Sequence, residues 1–275
     1  MNNGIDLTSL KSWIGKTETV QDYLTQSLID RFRATLDPHL WSGAVPLGLH
    51  WCLTLPTTAL SELSADGHAK KGGFLPPVPL PSRMWAGGEV LHHHDLIPNT
   101  LVTRTSTVSE IVAKQGKSGA LVFVTVDSEY HCGKQLCISD RQDLVFRGHS
   151  TLAKPAMPKG DPNTSNSLHN TITPDPVLLF RYSALTFNSH RIHYDRDYAQ
   201  NAEGYDDLVV HGPLQATLLL NMAAKASGKP PKRFSYRGVA PVTLGAAVEI
   251  HQDENKVWCQ NAAGIKSFVA DYDDS

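Results

Sequence analysis

The sequence predicts an α+β protein in which antiparallel strands predominate around a long buried helix. Three observations carry that expectation. Runs rich in β-branched and aromatic residues, strongest at Leu121-Val122-Phe123-Val124-Thr125-Val126, recur in both halves of the chain. After Gly212-Pro213, the residues Leu214, Thr217, Leu218, Asn221 and Met222 recur at helical spacing until Gly228-Lys229-Pro230-Pro231 stops the run. Between the halves, residues 149–176 are rich in Pro, Ser, Thr and Asn and poor in large apolar residues, the composition of a linker. The expected division is an amino-terminal domain over 1–148, a linker over 149–176 and a carboxy-terminal domain over 177–275.

Taken in order, residues 1–40 suggest one or two helices, capped at Thr19 or Asp22, with Leu24, Leu28, Ile29, Phe32 and Leu36 on one face and Asp37-Pro38 as the stop. Leu47 to Leu55 is an apolar run that reads as a strand, and Ser61 to Gly73 reads as an exposed loop. Pro76, Pro77, Pro79 and Pro81 make Phe74 to Gly88 an extended, rigid crossing, because each removes a donor and restricts the backbone. Strands are expected over Glu89 to Leu96, Leu101 to Ala113, Ala120 to Tyr130 and Cys137 to Arg147, with a hairpin at Lys114 to Gly119. The second half opens with a strand over Phe180 to Thr186 and a polar loop, continues with the buried helix, and ends in strands over Arg233 to Val239, Ala247 to Gln252, Lys256 to Asn261 and Ile265 to Tyr272.

Composition narrows the function. With 275 residues, 41% of them hydrophobic, and a net charge of -2, the chain can bury a substantial core and has no electrostatic basis for binding nucleic acid or a membrane surface. No apolar run approaches the ~20 residues of a membrane span. The opening MNNGIDLTSLKSW lacks the basic-then-apolar order of a secretory signal, so the expected address is cytoplasmic. Cys52, Cys132, Cys137 and Cys259 read as reduced thiols. His92-His93-His94 falls in a strand, where side chains alternate faces, so no metal site is expected there. Dinucleotide, P-loop and serine-hydrolase motifs are absent, and no cofactor is expected.

The chemistry concentrates in Asn188-Ser189-His190-Arg191-Ile192-His193 and His211-Gly212-Pro213. An imidazole with an ordinary pKa of ~6.5 can take a proton from water and return it, which makes His193 the leading general base, although a lone histidine in a turn is more often structural. Asn188 cannot move protons. It can orient a water, or it can cap the turn. Gly212 opens a helix whose free amides and positive dipole end receive negative charge, or it serves close packing.

The segments FNSHRIHYDRDYA and VVHGPLQATLL resemble the MaoC-like, R-specific enoyl-CoA hydratases, which carry Asp-x-Asn-Pro-x-His followed by a central helix entered through His-Gly. His193 matches the motif histidine and His211-Gly212-Pro213 the helix entry, whereas Asn188, His190 and Arg191 stand where the family has Asp, Asn and Pro. The wording is similar to the double-hot-dog branch, which includes hydroxyacyl-thioester dehydratases and mesaconyl-CoA (3-methylfumaryl-CoA) and itaconyl-CoA hydratases. The resemblance implies a double hot-dog fold, two antiparallel sheets each wrapped on a central helix, and reversible hydration of an enoyl-CoA, a short branched dicarboxylyl-CoA being expected. It implies that His193 deprotonates a water held by Asn188 while the Gly212 amide supports the enolate. Arg191 would then read a carboxylate on the acyl group, with His190 and His211 lining the same pocket. Arg83, Trp85, Lys232, Arg233 and Arg237 are candidates for the CoA phosphates. The amino-terminal half lacks a second copy of either motif, so one site per chain is expected. Beyond the acyl-CoA, the partner expected is at most a second copy of the chain. A hot-dog thioesterase and a non-catalytic acyl-thioester binding module are the alternatives.

Overall fold

In the computed structural model, which describes residues 5–116, 119–148, 168–261 and 263–273, the helix expected after Gly212 is buried on nearly every side. This helix, α5 (Gly212–Ser227), shields Leu214 to Asn221, Ala223 and Ala224 from solvent. Proline in its first turn and Gly228 in the left-handed conformation at its end set its limits, as the sequence predicts. A helix apolar all round must be wrapped, and a sheet does the wrapping.

The amino-terminal half contributes β1 (Thr17–Tyr23), β2 (Ser82–His92), β3 (Leu101–Gly116), β4 (Gly119–Cys132) and β5 (Gln135–Arg147). The carboxy-terminal half contributes β6 (Leu168–Ile172), β7 (Arg233–Gly238), β8 (Val248–Asp253), β9 (Lys256–Asn261) and β10 (Lys266–Asp273). Their order is β1-β3-β4-β5-β2-β7-β10-β9-β8-β6. The two five-stranded halves of the hot-dog architecture are thus hydrogen-bonded into one antiparallel sheet through β2 and β7, from Gly87↔Arg237 to Leu91↔Arg233. Phe234, Ile250, Val257, Cys259 and Phe268 join the residues of α5 in the main core. A smaller core under the β3–β4 hairpin gathers Val108, Ile111, Val122, Val124 and Phe146. It is closed by Leu10 of α1 (Leu7–Lys11) and by Val78 of the proline-rich crossing. Among the described residues no helix is long and apolar enough to cross a membrane.

Several local expectations need correcting. Thr19 and Asp22 lie in β1, an edge strand paired to β3, and the helix that follows, α2 (Gln26–Leu36), is capped by Thr25, whose hydroxyl accepts from the Leu28 amide at 3.1 Å. Leu47 to Leu55 is not a strand. Gly48, at φ 86°, turns it into a short 3-10 helix, Leu49–Cys52, threaded through the core. Continuous apolar burial makes such a run indistinguishable from a strand by periodicity. Ser82 to Gly88, expected as part of the crossing, begins β2. Leu168–Ile172, expected as linker, forms the edge strand β6, while 149–167 lie outside the described residues. Phe180 to Thr186 belongs to a helix, α3 (Pro176–Leu185), opened by Asp175, which accepts from Leu178 N at 2.7 Å, and by Pro176. Leu179, Tyr182 and Leu185 are its buried face, a spacing of three that outweighs the β-branched content. The β3–β4 hairpin forms as expected, with its strands meeting at Gly116↔Gly119.

Asn221 ties the amino-terminal half to α5. Its Oδ1 accepts from Trp41 N at 2.8 Å, and its Nδ2 donates to Leu47 O at 3.0 Å and Thr217 O at 2.8 Å. Asn221→Leu fills similar volume but strands buried backbone groups of two segments. The expected cost is ~2–4 kcal/mol of stability, read as a lower urea midpoint. An unchanged midpoint would show that water or rearrangement satisfies those groups.

Candidate active site

The polar loop after α3 turns sharply because Asn188 Oδ1 accepts from the His190 amide at 2.9 Å. A 3-10 turn, Arg191–His193, follows, and then α4 (Arg196–Asn201), capped by Asp195. The turn buries His193, which is 7% exposed. His193 Nδ1 lies 2.7 Å from Val209 O. A carbonyl only accepts, so Nδ1 carries the proton and Nε2 presents a lone pair. Val209 N donates back to Ile192 O at 2.9 Å, so the clamp is reciprocal. His211, immediately before α5, stacks on His193 with ring centroids 3.6 Å apart and donates to or accepts from Ser183 Oγ at 2.8 Å. The next residue, Gly212, starts α5 with an amide that meets no protein acceptor among the described residues. A Cβ at Gly212 would lie 3.1 Å from Trp85 Cε3, so any larger residue would press on the Trp85 ring of β2.

Burial governs the protonation of these rings. It pushes His193 down to about 4, against the Val209 hydrogen bond. It pushes His190 down to about 2, with His68 and His193 adding repulsion, and holds His211 well below the ordinary imidazole range. The rings are neutral at physiological pH, and the expectation of a base titrating near 6.5 is corrected accordingly.

A second arm of the site was not anticipated. The stretch expected to be an exposed loop, Ser61 to Gly73, folds against the motif loop. Arg191 N donates to Asp66 O at 2.9 Å, Arg191 Nη1 to Ala65 O at 3.1 Å, and Ser189 Oγ to Gly67 O. At position 67, with φ +90°, only glycine fits, because a Cβ there would overlap the Ser189 carbonyl oxygen. The contact brings Asp66 and His68 into the site. Asp66 Oδ2 lies 2.9 Å from His68 Nδ1, and the His68 ring packs on His190 at 4.1 Å, which in turn stands edge-on to His193 at 5.5 Å. Asp66, His68 and His190 offer donor atoms within 4.8 Å of one another, so they are the set among the described residues that could hold a cation. The Asp-Gly-His spacing was the available signal, but nothing local tied it to residues more than a hundred positions away.

Other sequence candidates are placed differently from the expectation. Arg191 does not face an acyl pocket: Nε and Nη2 bind Asp195 Oδ2 at 3.0 and 2.7 Å, and the guanidinium covers the Tyr198 ring. Its donors are committed to holding the loop. Trp85 stacks on Tyr236 at 4.7 Å beside Gly212, so it shapes the helix entrance rather than meeting a phosphate. Arg233, Arg237 and Lys232 are exposed, with Phe234 and Tyr236 as the inward residues of β7, so the three basic side chains lie at the surface and outside the histidine cluster. Arg233 Nε is bonded to Glu89 Oε2 at 2.7 Å. His93 and His94 are exposed and His92 is half-buried.

The profile of the hydroxyacyl-thioester dehydratase type 2 family matches residues 48–244, which span both arms of this site. The chain belongs to that family. It is 44% identical over 237 residues to the mesaconyl-C(4)-CoA hydratase of Chloroflexus aurantiacus, covering 84% of each chain. It is 28% identical to the mitochondrial hydroxyacyl-thioester dehydratase type 2 of Schizosaccharomyces pombe, covering 92% of this chain and 94% of that protein. Among solved structures, HtdX of Mycobacterium tuberculosis superimposes with a TM-score of 0.67 at 19% identity, covering 94% of this chain and all of that one (100%). A Mycobacterium tuberculosis protein described as a double hotdog fold gives 0.59 at 11% identity, covering 94% of this chain and 95% of that one. These two likenesses establish the double hot-dog fold.

The family site carries an acid-stability consequence. His50, His190, His193 and His211 are all buried and held neutral, whereas in the unfolded chain each binds a proton below ~6.5. Their depressed values give stability that is present above 6.5 and is lost as pH falls. Asp140, pushed up to about 7 by burial, has the opposite sign and offsets one of them. His39, His68 and His92 are lowered by burial as well, so the histidines outnumber Asp140 and stability should fall as pH drops from 6 to 5. Thermal melts across that range should drop steeply, and a flat melting temperature down to pH 5 would contradict the neutral-histidine account.

Proposed function

We propose that this protein reversibly hydrates an enoyl-CoA, with a short branched dicarboxylyl-CoA of the mesaconyl type as substrate. The observation that carries the reading is the neutral, Nδ1-protonated His193 stacked against the residue that opens α5 at the unpaired Gly212 amide. The similarity to a mesaconyl-C(4)-CoA hydratase supports the acyl class.

In the hydration direction, His193 Nε2 accepts a proton from water while the water oxygen bonds to the β-carbon. The electron pair of the double bond moves toward the thioester, whose oxygen is stabilised by the Gly212 amide and the dipole of α5. The imidazolium then gives a proton to the α-carbon. Asn188 Oδ1 already accepts from the His190 amide, which leaves its second lone pair and the Nδ2 hydrogens to orient the water. One base on one face gives syn addition. The reading assigns no metal and no cofactor. Itaconyl-CoA as an alternative substrate, a homodimer and a cytoplasmic address complete it; four free, buried cysteines suit a reducing compartment.

Incubation with straight-chain and branched dicarboxylyl-CoA thioesters should give products gaining or losing one water by mass spectrometry. Release of free CoA instead would identify a thioesterase. His193→Ala should lower kcat by roughly 10²- to 10⁴-fold with the fold retained. Near-normal turnover in that variant would remove the base assignment.

The pH profile separates this base from an ordinary exposed histidine. With His193 pushed down to about 4, its active neutral form persists through pH 6.5, so kcat/KM should stay level from pH 8 until acid unfolding intervenes. Asn188→Asp keeps the acceptor for the His190 amide and adds a charge to the motif loop five residues before His193, which should raise the imidazole pKa and bring an acid limb into the measurable range. A wild-type limb centred near 6.5, unmoved by Asn188→Asp, would show that another group governs the proton.

A further inference from the structure

Arg83 is a cation of this site with no directly bonded partner. Arg191 is paired with Asp195, Arg196 with Asp207 and Arg233 with Glu89. Arg83, in β2, makes no hydrogen bond or ion pair among the described residues, yet its side chain is enclosed enough for burial to press against its charge. It lines a small, open depression together with Ser64, Asp66, His68 and Lys71. Of the other charged groups there, Asp66 lies 2.9 Å from His68 and attracts Arg83 through space without bonding it, and Lys71 Nζ donates to the Val78 carbonyl at 3.0 Å. Holding a guanidinium there without an acceptor costs folding energy, and an anionic ligand would recover it.

The position of Arg83 indicates which anion fits. Through His68 and His190 the depression adjoins His193. Arg83 and Trp85 lie two residues apart on β2, on one face of the sheet and ~7 Å apart along the strand. Trp85 touches the start of α5, where the proposed thioester oxygen would sit. A cation one pleat away stands at the reach of a four-carbon dioyl chain, measured from its thioester carbonyl to its far carboxylate. CoA phosphates leave the thioester on the opposite side of its sulfur.

We propose that Arg83 binds the far carboxylate of the acyl group and makes the site select dicarboxylyl over monocarboxylyl thioesters. This rests on the hydratase reading and deepens it. It moves the carboxylate contact from Arg191 to Arg83, and moves Arg83 from the phosphates to the acyl chain.

The experiment compares kcat/KM for mesaconyl-CoA and crotonyl-CoA in wild type, Arg83→Gln and Arg83→Lys, and repeats the comparison with the N-acetylcysteamine thioesters, which lack phosphates. Wild type should prefer the mesaconyl group in both thioester series. Arg83→Gln should reduce that preference by about 100-fold or more, and Arg83→Lys should restore part of it by supplying charge without the planar fork. The melting temperature of Arg83→Gln should match or exceed that of wild type, because no partner is lost. Equal losses on both acyl groups, or a preference that disappears in the N-acetylcysteamine series, would overturn the assignment; the second result would return Arg83 to the phosphates. A melting temperature several degrees lower would make Arg83 structural. Wild type hydrating both thioesters equally well would overturn the inference and leave the hydratase reading standing, whereas free CoA without water addition would overturn the hydratase reading and this inference with it.

Discussion

The enclosure of α5 is the constraint on which the rest of the structure depends. A helix whose every face carries apolar or small residues cannot rest on a sheet with one side in water. The carboxy-terminal strands cover one side, and the amino-terminal half, through Trp41, Leu47 and the buried 3-10 turn, covers the other. Hydrogen-bonding β2 to β7 makes the two halves one sheet and closes the enclosure. The amino-terminal end of α5 then brings its dipole and the unpaired Gly212 amide beside the histidines, which collect there because the motif loop and the helix entry are clamped together by Val209.

The same enclosure sets the electrostatics. Three imidazoles, His190, His193 and His211, share a desolvated space, and a proton on any one of them is opposed by burial and by its neighbours. The site therefore works with neutral rings, and its base is defined by a fixed tautomer rather than by a pKa near neutrality. In the proposed reaction, position offsets basicity this low: the water would be held against the lone pair and the developing negative charge would lie at a helix terminus. The cost appears as acid lability of the whole fold, which a surface histidine would not confer.

What the sequence made legible was the part written locally. Gly212-Pro213 and Gly228 bound α5 because helix termini have strong residue preferences. The β3–β4 hairpin and the last three strands followed from β-branched content and turn residues. The misses share a cause. Leu47 to Leu55 and Phe180 to Thr186 are short apolar segments whose conformation is decided by what they pack against, and period alone does not separate the states. In α3 the Asp175-Pro176 start signal was present but was absorbed into the linker. Arg191 was read as a carboxylate ligand although Asp195, four residues on, was its partner. Asp66 and His68 join the site by a loop contact spanning more than a hundred residues, and no local pattern encodes a contact of that range.

The central claim is that His193 is a neutral base with its proton on Nδ1 and its lone pair on Nε2. The direct test is a ¹⁵N-histidine NMR titration of the intact protein, with the His193 signals assigned by their loss in His193→Ala. The account predicts an Nδ1-protonated, neutral ring whose shifts do not move between pH 8 and 6, because burial holds the group down to about 4. A ring that titrates with a midpoint near 6.5, or one protonated on Nε2, would contradict it.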